Sequence, residues 1–252
     1  MILAGVLGAL IGSFLNVVIH RVPRGESIVL PPSRCPGCQA LVRPYDNIPI
    51  ISWLLLGGRC RDCRNPISIR YPIIEAAGAI LVVLVVERWG VTPTAAIHAA
   101  FCLSMLVITM IDLDHQIIPD AITIPGTVLA LALVNWTEPT WIDAMIGAVV
   151  GFVVLWGVGE AYHRSTGIEG MGGGDIKMAA YMGAILGWKG VLLSIFIGAL
   201  SGSLVGIITM LIGKGHRRTA LPFGTFLAPA AVITLFYGQA LIEAYLGLIF
   251  RH

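Results

Sequence analysis

Charge is what this chain has least of. Only 12% of its 252 residues are Asp, Glu, Lys or Arg, about half the share found in water-soluble domains. Set against 57% hydrophobic residues and a mean hydropathy of +0.87, that shortage excludes a soluble globular protein. A secretory leader is missing too. The first nineteen residues have no basic stretch ahead of the apolar run and no clean small-residue cleavage site. Residues 2–19 are therefore expected to stay in place as a first membrane span. There is no internal repeat and no low-complexity tract, and no nucleic-acid partner is expected. What remains is an all-α polytopic membrane protein whose partner is the lipid bilayer.

Apolar runs fall near 2–19, 72–88, 95–111, 121–136, 142–161, 176–188, 190–212 and 223–249. They predict about eight transmembrane helices. The few cations are unevenly placed. Arg21, Arg24, Arg34, Arg43, Arg59, Arg61, Arg64 and Arg70 are half of the sixteen Lys and Arg residues, and all lie between the first two runs. Excess Lys and Arg mark cytoplasmic loops. With Arg164, Lys177, Lys214, Arg217 and Arg218 this puts thirteen cations inside, against Arg88, Lys189 and Arg251 outside. Both termini are expected outside. The run Ile176–Trp188 is thirteen residues long, too short for a span of roughly 20. It is expected to be surrounded by protein or by a wet cavity.

The first loop carries "RCPGCQ" and "RCRDCR", so that Cys35, Cys38, Cys60 and Cys63 form two C-x-x-C pairs. That spacing is close to a tetrahedral Cys₄ zinc site. Neighbouring arginines favour thiolate, and a reducing cytoplasm disfavours disulfides. A closed Cys₄ site has no open coordination position, so its Zn²⁺ would be structural. Cys102, alone in an apolar run, reads as packing.

Fourteen acidic residues are few enough to weigh singly, and most lie in loops or at run ends. Asp112, in "MIDLDHQIIPDA", ends the long apolar run from Ala95, whereas Asp114 and His115 read as solvated. Asp120 follows Pro119 and reads as a helix-start cap. Asp175 follows the glycines of "GMGGGDIK", which would let the backbone take unusual conformations and approach a ligand closely. An N-cap is the competing reading of Asp175, and a snorkelling cation that of Lys177. Ionisable groups at such depth default to function. Two carboxylates sharing a site hold one proton between them and can activate water against a carbonyl.

Asp112 with Pro119-Asp120, and "GMGGGDIK" from Gly170 to Lys177, resemble the type IV prepilin leader peptidases, membrane aspartic proteases with a G-x-G-D motif. "GSFLNVVIHRVP" (Gly12–Pro23), the cysteine pairs, "RYPIIE" (Arg70–Glu75) and "LPFGTFLAP" (Leu221–Pro229) resemble family segments in family order. The resemblance implies that Asp112 and Asp175 are the catalytic pair. It implies cleavage of prepilin or pseudopilin leaders at the cytoplasmic face of the bacterial inner membrane. Members with the cysteine loop also N-methylate the new terminus with S-adenosylmethionine. The implied organisation is a first transmembrane helix (1–19), a cytoplasmic Cys₄ zinc-binding loop linked to N-methylation (20–71) and a peptidase core (72–252). No soluble-type methyltransferase fingerprint is present. Asn16 and Glu75 are polar candidates for that second activity, with inter-helix hydrogen bonding the competing role.

Two other classes are compatible with parts of the sequence. An ion-coupled transporter would also use intramembrane carboxylates and broken helices, but no repeat symmetry is visible and both aspartates lie towards one face. A zinc-dependent scaffold would leave Asp112 and the glycine run without a purpose.

Overall fold

The computed structural model of the protein describes residues 1–168, 170–212 and 222–249. Glu169, Lys214, Arg217, Arg218, Leu221 and Arg251 lie outside the described residues. Among the described residues all regular elements are helical. They are α1 (Ile2–Arg21), α2 (Ile51–Leu55), α3 (Arg70–Trp89), α4 (Pro93–His115), α5 (Asp120–Ala132), α6 (Trp141–Thr166), α7 (Gly173–Leu211) and α8 (Gly224–Ile249). Five of these regions are long and apolar enough to cross a membrane: Ile2–Arg24, Pro93–His115, Trp141–Thr166, Gly173–Leu211 and Gly224–Leu248. The chain divides into two compact units, Met1–Val107 and Ile108–His252, with the boundary inside α4.

In the first unit α1 and α3 run antiparallel along a stripe of small residues. A Cβ on Gly8 would lie 2.6 Å from the Gly78 carbonyl, and one on Gly12 would lie 2.8 Å from the Glu75 Cα. Where lipid tails are as apolar as leucine, such close backbone approach is how helices associate. Asn16 adds a polar tie, its Nδ2 donating to the carbonyls of Gly12 and Tyr71, both at 3.3 Å.

The loop between these helices contains an element the sequence reading did not anticipate, the short α2. It is entered through Ile50, at φ 63° and ψ −52°, with the Ile51 N–H donating to the Pro49 carbonyl at 2.6 Å. This is a γ-turn of the rare positive-φ kind, and a β-branched residue there is strained by about 1–3 kcal/mol. The Ile50 N–H donates to Glu75 Oε2 at 2.7 Å. A hydrogen bond typically contributes about 0.5–1.5 kcal/mol, which offsets part of that strain.

The second unit is organised around α7. Its N-terminal half packs on α6 with almost no side chain between the backbones, since a Cβ on Gly183 would collide with the Gly147 carbonyl. Gly187, at φ 69° and ψ 177°, breaks the helix, a conformation essentially restricted to glycine. The break coincides with the boundary between the runs 176–188 and 190–212. The segment before it is about 20 Å long at 1.5 Å per residue, shorter than the roughly 30 Å hydrocarbon core. Met178, Ala179, Tyr181, Met182, Gly183, Ala184 and Ile185 are all buried. A segment buried around its whole circumference needs no lipid, so its shortness costs nothing. The run expected over 121–136 is helical only to Ala132, followed by a 3₁₀ turn over Val134–Trp136.

Candidate active site

Asp112 lies in the last turn of α4 and is 4% exposed. Its Oδ2 accepts from the Thr225 N–H at 2.7 Å and from the Thr225 hydroxyl at 3.0 Å. Thr225 is the second residue of α8. The helix therefore offers a first-turn N–H, which has no partner inside the helix, to the carboxylate. Gly224 allows this approach, because a Cβ there would lie 2.9 Å from Asp112 Oδ2 and 2.8 Å from Ile118 Cδ1.

Asp175 is the third residue of α7, and Gly172 holds the N-cap position without a side-chain cap. The capping reading of Asp175 is thereby replaced. Its Oδ1 is buried and has no hydrogen-bond partner among the described residues, an arrangement whose cost asks for an explanation. The residue before it, Gly174, packs on Ile118 so tightly that a Cβ would sit 2.8 Å from the Ile118 Cβ. Ile118 thus touches both the glycine beside Asp175 and the glycine that lies on Asp112.

This corrects the expected purpose of the glycine run. None of Gly172, Gly173 or Gly174 has a positive φ, so left-handed backbone is not what they supply. Gly174 supplies closeness to Ile118, and Gly170 closeness to the Tyr162 ring. Asp120 opens α5 as expected, with its carboxylate in the first turn, and only the capping position differs. Pro119 occupies the N-cap of α5, and the Asp120 carboxylate pairs with Lys177 Nζ at 2.6 Å. Asp114 and His115 are exposed, and Cys102 is fully buried. Thr225 and Ile118 carried no role in the sequence reading. The signal available for Thr225 was a hydroxyl residue next to a glycine in "LPFGTFLAP".

The second cluster lies in the first unit. Cys35, Cys38, Cys60 and Cys63 bring their four Sγ atoms within 4.8 Å of one another, with Cys35 and Cys63 at 3.7 Å. Tetrahedral zinc with Zn–S bonds of about 2.3 Å places its sulfurs about 3.8 Å apart, so the set could hold such an ion. Each pair sits in the same hairpin. Arg34 bridges Leu41 in one, and Arg59 bridges Pro66 in the other. Cys35 N–H donates to the Ala40 carbonyl at 2.9 Å, and Cys60 N–H to that of Asn65 at 2.8 Å. Gln39 and Arg64 both take positive φ, at 61° and 60°. The shared R-C-x-x-C pattern of the two segments thus has a shared backbone. The N–H groups of Cys38 and Gly37 lower the Cys35 thiol to about 7, which prepares a thiolate ligand. Arg61 closes the loop by gripping Asp46, Nε to Oδ2 at 2.9 Å and one terminal nitrogen to Oδ1 at 2.6 Å. That grip holds the Asp46 carboxyl below its usual range.

Asn16 and Glu75, the polar candidates for a second activity, are both engaged with backbone in this structure, through Tyr71 and Ile50.

Residues 6–89 match the bacterial peptidase A24 N-terminal domain, and residues 99–207 match the type IV leader peptidase family. The chain is 36% identical to the prepilin leader peptidase/N-methyltransferase of Pseudomonas putida over 98% of its own length and 94% of the relative's. It is 37% identical to the protein of the same name from Stutzerimonas stutzeri, over 96% and 92%. With that of Aeromonas salmonicida it shares 37% identity over 95% and 91%. No solved structure matches. Both cysteine pairs and both aspartates fall within the matched segments, and the chain belongs to the type IV leader peptidase family.

Proposed function

We propose that the protein removes the leader peptide from type IV prepilins or pseudopilins at the cytoplasmic face of the bacterial inner membrane, with Asp112 and Asp175 as the catalytic pair, and then N-methylates the new terminus. The observation that carries the reading is the contrast between the two carboxylates. Asp112 is held by two donors from Thr225, whereas Asp175 keeps one buried oxygen without a partner among the described residues. One carboxylate is fixed, and the other has an unused acceptor where a water or a peptide group would sit.

The chemistry follows from that pair. Close carboxylates do not both ionise cheaply, so they hold one proton between them. The ionised member takes a proton from water, the water attacks the scissile carbonyl, and the protonated member donates to the carbonyl oxygen. No covalent intermediate forms. The substrate's apolar N-terminal helix lies among the spans with its leader on the cytoplasmic side. In this reading the chain has eight spans, α7 counting as two across Gly187, and both termini lie outside. Residues 1–19 are the first span, 20–71 the cytoplasmic loop and 72–252 the peptidase core.

The four cysteines hold a structural Zn²⁺ that fixes the loop and leaves no position for catalysis. Methylation is supported by the names of the relatives. S-Adenosylmethionine enters as a second substrate. Because Asn16 and Glu75 are occupied with backbone, no step of methyl transfer is assigned to them. The test is mass spectrometry of a prepilin incubated with purified protein, with and without S-adenosylmethionine. Loss of the leader in both reactions, with one added methyl group only when the donor is present, is the expected result. An uncut prepilin contradicts the peptidase, and a cut but unmethylated product contradicts the second activity alone.

A further inference from the structure

The loop of the first unit contains a run that does not suit a water-facing loop: "IPIISWLL", residues 48–55. Its outward side chains are Ile48, Ile51, Leu54 and Leu55, at 46%, 55%, 64% and 83% exposure. Its polar groups turn inward. Ser52 is 5% exposed and donates to the Tyr45 carbonyl at 2.8 Å. Trp53 Nε1 donates to the Ile67 carbonyl at 3.1 Å. The backbone is largely satisfied within the segment, with the N–H groups of Ser52, Leu54 and Leu56 donating to the carbonyls of Ile48, Ile50 and Ser52. Apolar side chains out and polar groups internally paired is the arrangement a non-spanning segment needs in order to sit in lipid.

Depth is the second observation. Glu75 is the sixth residue of α3, so its Cα lies about 7.5 Å along the axis from Arg70. It stands level with Gly12 of α1, nine residues before Arg21 and so about 13 Å from it along a helix. Arg21, Arg24 and Arg70 mark the watery end of this helix pair. A helical side chain leans towards the helix N-terminus, which brings the Glu75 carboxylate up by part of that distance but not beyond the first turns. Ile50 donates to that carboxylate at 2.7 Å. The five-residue α2 begins at the next position and is itself only about 7.5 Å long. Leu54 and Leu55 follow within about 6 Å of helix rise from Ile51, so even at its shallowest the hook lies at the level of the first turns of α3. Tyr71 and Ile73, in the first turn of α3, are likewise exposed, at 46% and 57%.

We propose that residues 48–55 are a re-entrant apolar hook lying in the acyl-chain boundary of the bilayer, with Glu75 as the pin that sets its depth. The partner is lipid, and the two cysteine hairpins that flank the hook are thereby drawn against the membrane surface. The proposal does not depend on the aspartate pair. Glu75 acts here by position, without touching the reacting groups.

The test uses full-length, zinc-loaded protein in liposomes that contain either a lipid with a diazirine in the acyl chain or one with a diazirine on the headgroup. After illumination, adducts are mapped by mass spectrometry. Acyl-chain adducts on residues 51–55 are expected at a yield comparable to that on Leu10 and Phe14 of α1. In Glu75→Met, which keeps the length of the side chain but removes the acceptor, most of these adducts should be lost and headgroup adducts should replace them. Prepilin cleavage and zinc content report whether the variant is folded, and the wild-type map decides lipid contact whatever the variant does. Three results overturn the proposal: no acyl-chain adducts on 51–55 while α1 is labelled, an unchanged pattern in folded Glu75→Met, or adducts that vanish with saturating prepilin. The last would make the substrate's helix, and not lipid, the partner of this face.

Discussion

Thr225 holds Asp112 twice, through its backbone N–H at 2.7 Å and its hydroxyl at 3.0 Å, across 113 residues of sequence. The two donors are separable by mutation. Thr225→Val removes the hydroxyl and leaves the N–H. A hydrogen bond to a charged group contributes about 1.5–3 kcal/mol, so turnover of a prepilin peptide should fall by about ten- to a hundredfold. Thr225→Ser should stay within a few-fold of the parent. Steady-state cleavage by both variants, with thermal unfolding as the fold control, checks the assignment.

Neighbouring glycines should answer differently to one added methyl group. Gly173 has nothing within 4 Å of a Cβ, whereas a Cβ on Gly174 meets Ile118 at 2.8 Å and one on Gly224 meets the Asp112 carboxylate at 2.9 Å. Gly173→Ala is expected to be active, and Gly174→Ala and Gly224→Ala severely impaired. A forced overlap of this size typically costs about 1–3 kcal/mol. Equal activity across the three variants would show that the close approaches are not needed.

The ion pair between Lys177 and Asp120 should matter much less than its nearness to Asp175 suggests. Both side chains are substantially exposed, at 41% and 53%, and pairs of that kind contribute about 0–1 kcal/mol. Asp120→Asn should keep the protein folded and cleaving within about fivefold of the parent. It therefore serves as the negative control for substitutions of the two buried aspartates, measured in the same cleavage assay.

The cysteine cluster predicts about one zinc per chain by elemental analysis. Replacing Cys35 and Cys38 by Ser should abolish it. Chelation should release the metal and loosen the loop, seen as faster proteolysis between Ser33 and Asn65. Full-length protein that is metal-free yet resists proteolysis in this loop would contradict a structural site.

Much of this was legible in the sequence because the signals were chemical. Four cysteines in two C-x-x-C pairs announce a tetrahedral ligand set wherever the loop goes, and they converge within 4.8 Å. Asp112 and Asp175 stood out because carboxylates are costly beside long apolar runs. The break in α7 was legible as well, since a thirteen-residue run is too short to span lipid, and Gly187 supplies the backbone conformation that ends it. What could not be read were relationships between distant side chains. Whether Asp120 capped a helix or met Lys177 depended on how α5 lies against α7. The grip of Thr225 on Asp112 depended on the start of α8 reaching the end of α4. The glycine run misled for a similar reason: glycine's freedom of φ is a property of the residue, but what these positions use is the lack of a Cβ against a neighbour that only the fold supplies.

The most direct test of the central claim is leader cleavage by purified Asp112→Asn and Asp175→Asn, each compared with Asp120→Asn on the same prepilin peptide. Asparagine keeps the shape but can neither take up nor hand on the proton, and general acid–base catalysis alone is worth about 10²–10⁴-fold. Both variants are expected to fold, to bind the peptide and to lose cleavage by at least that factor, while Asp120→Asn continues to cut. Leader cleavage that persists near the parent rate in either Asp112→Asn or Asp175→Asn would contradict the account.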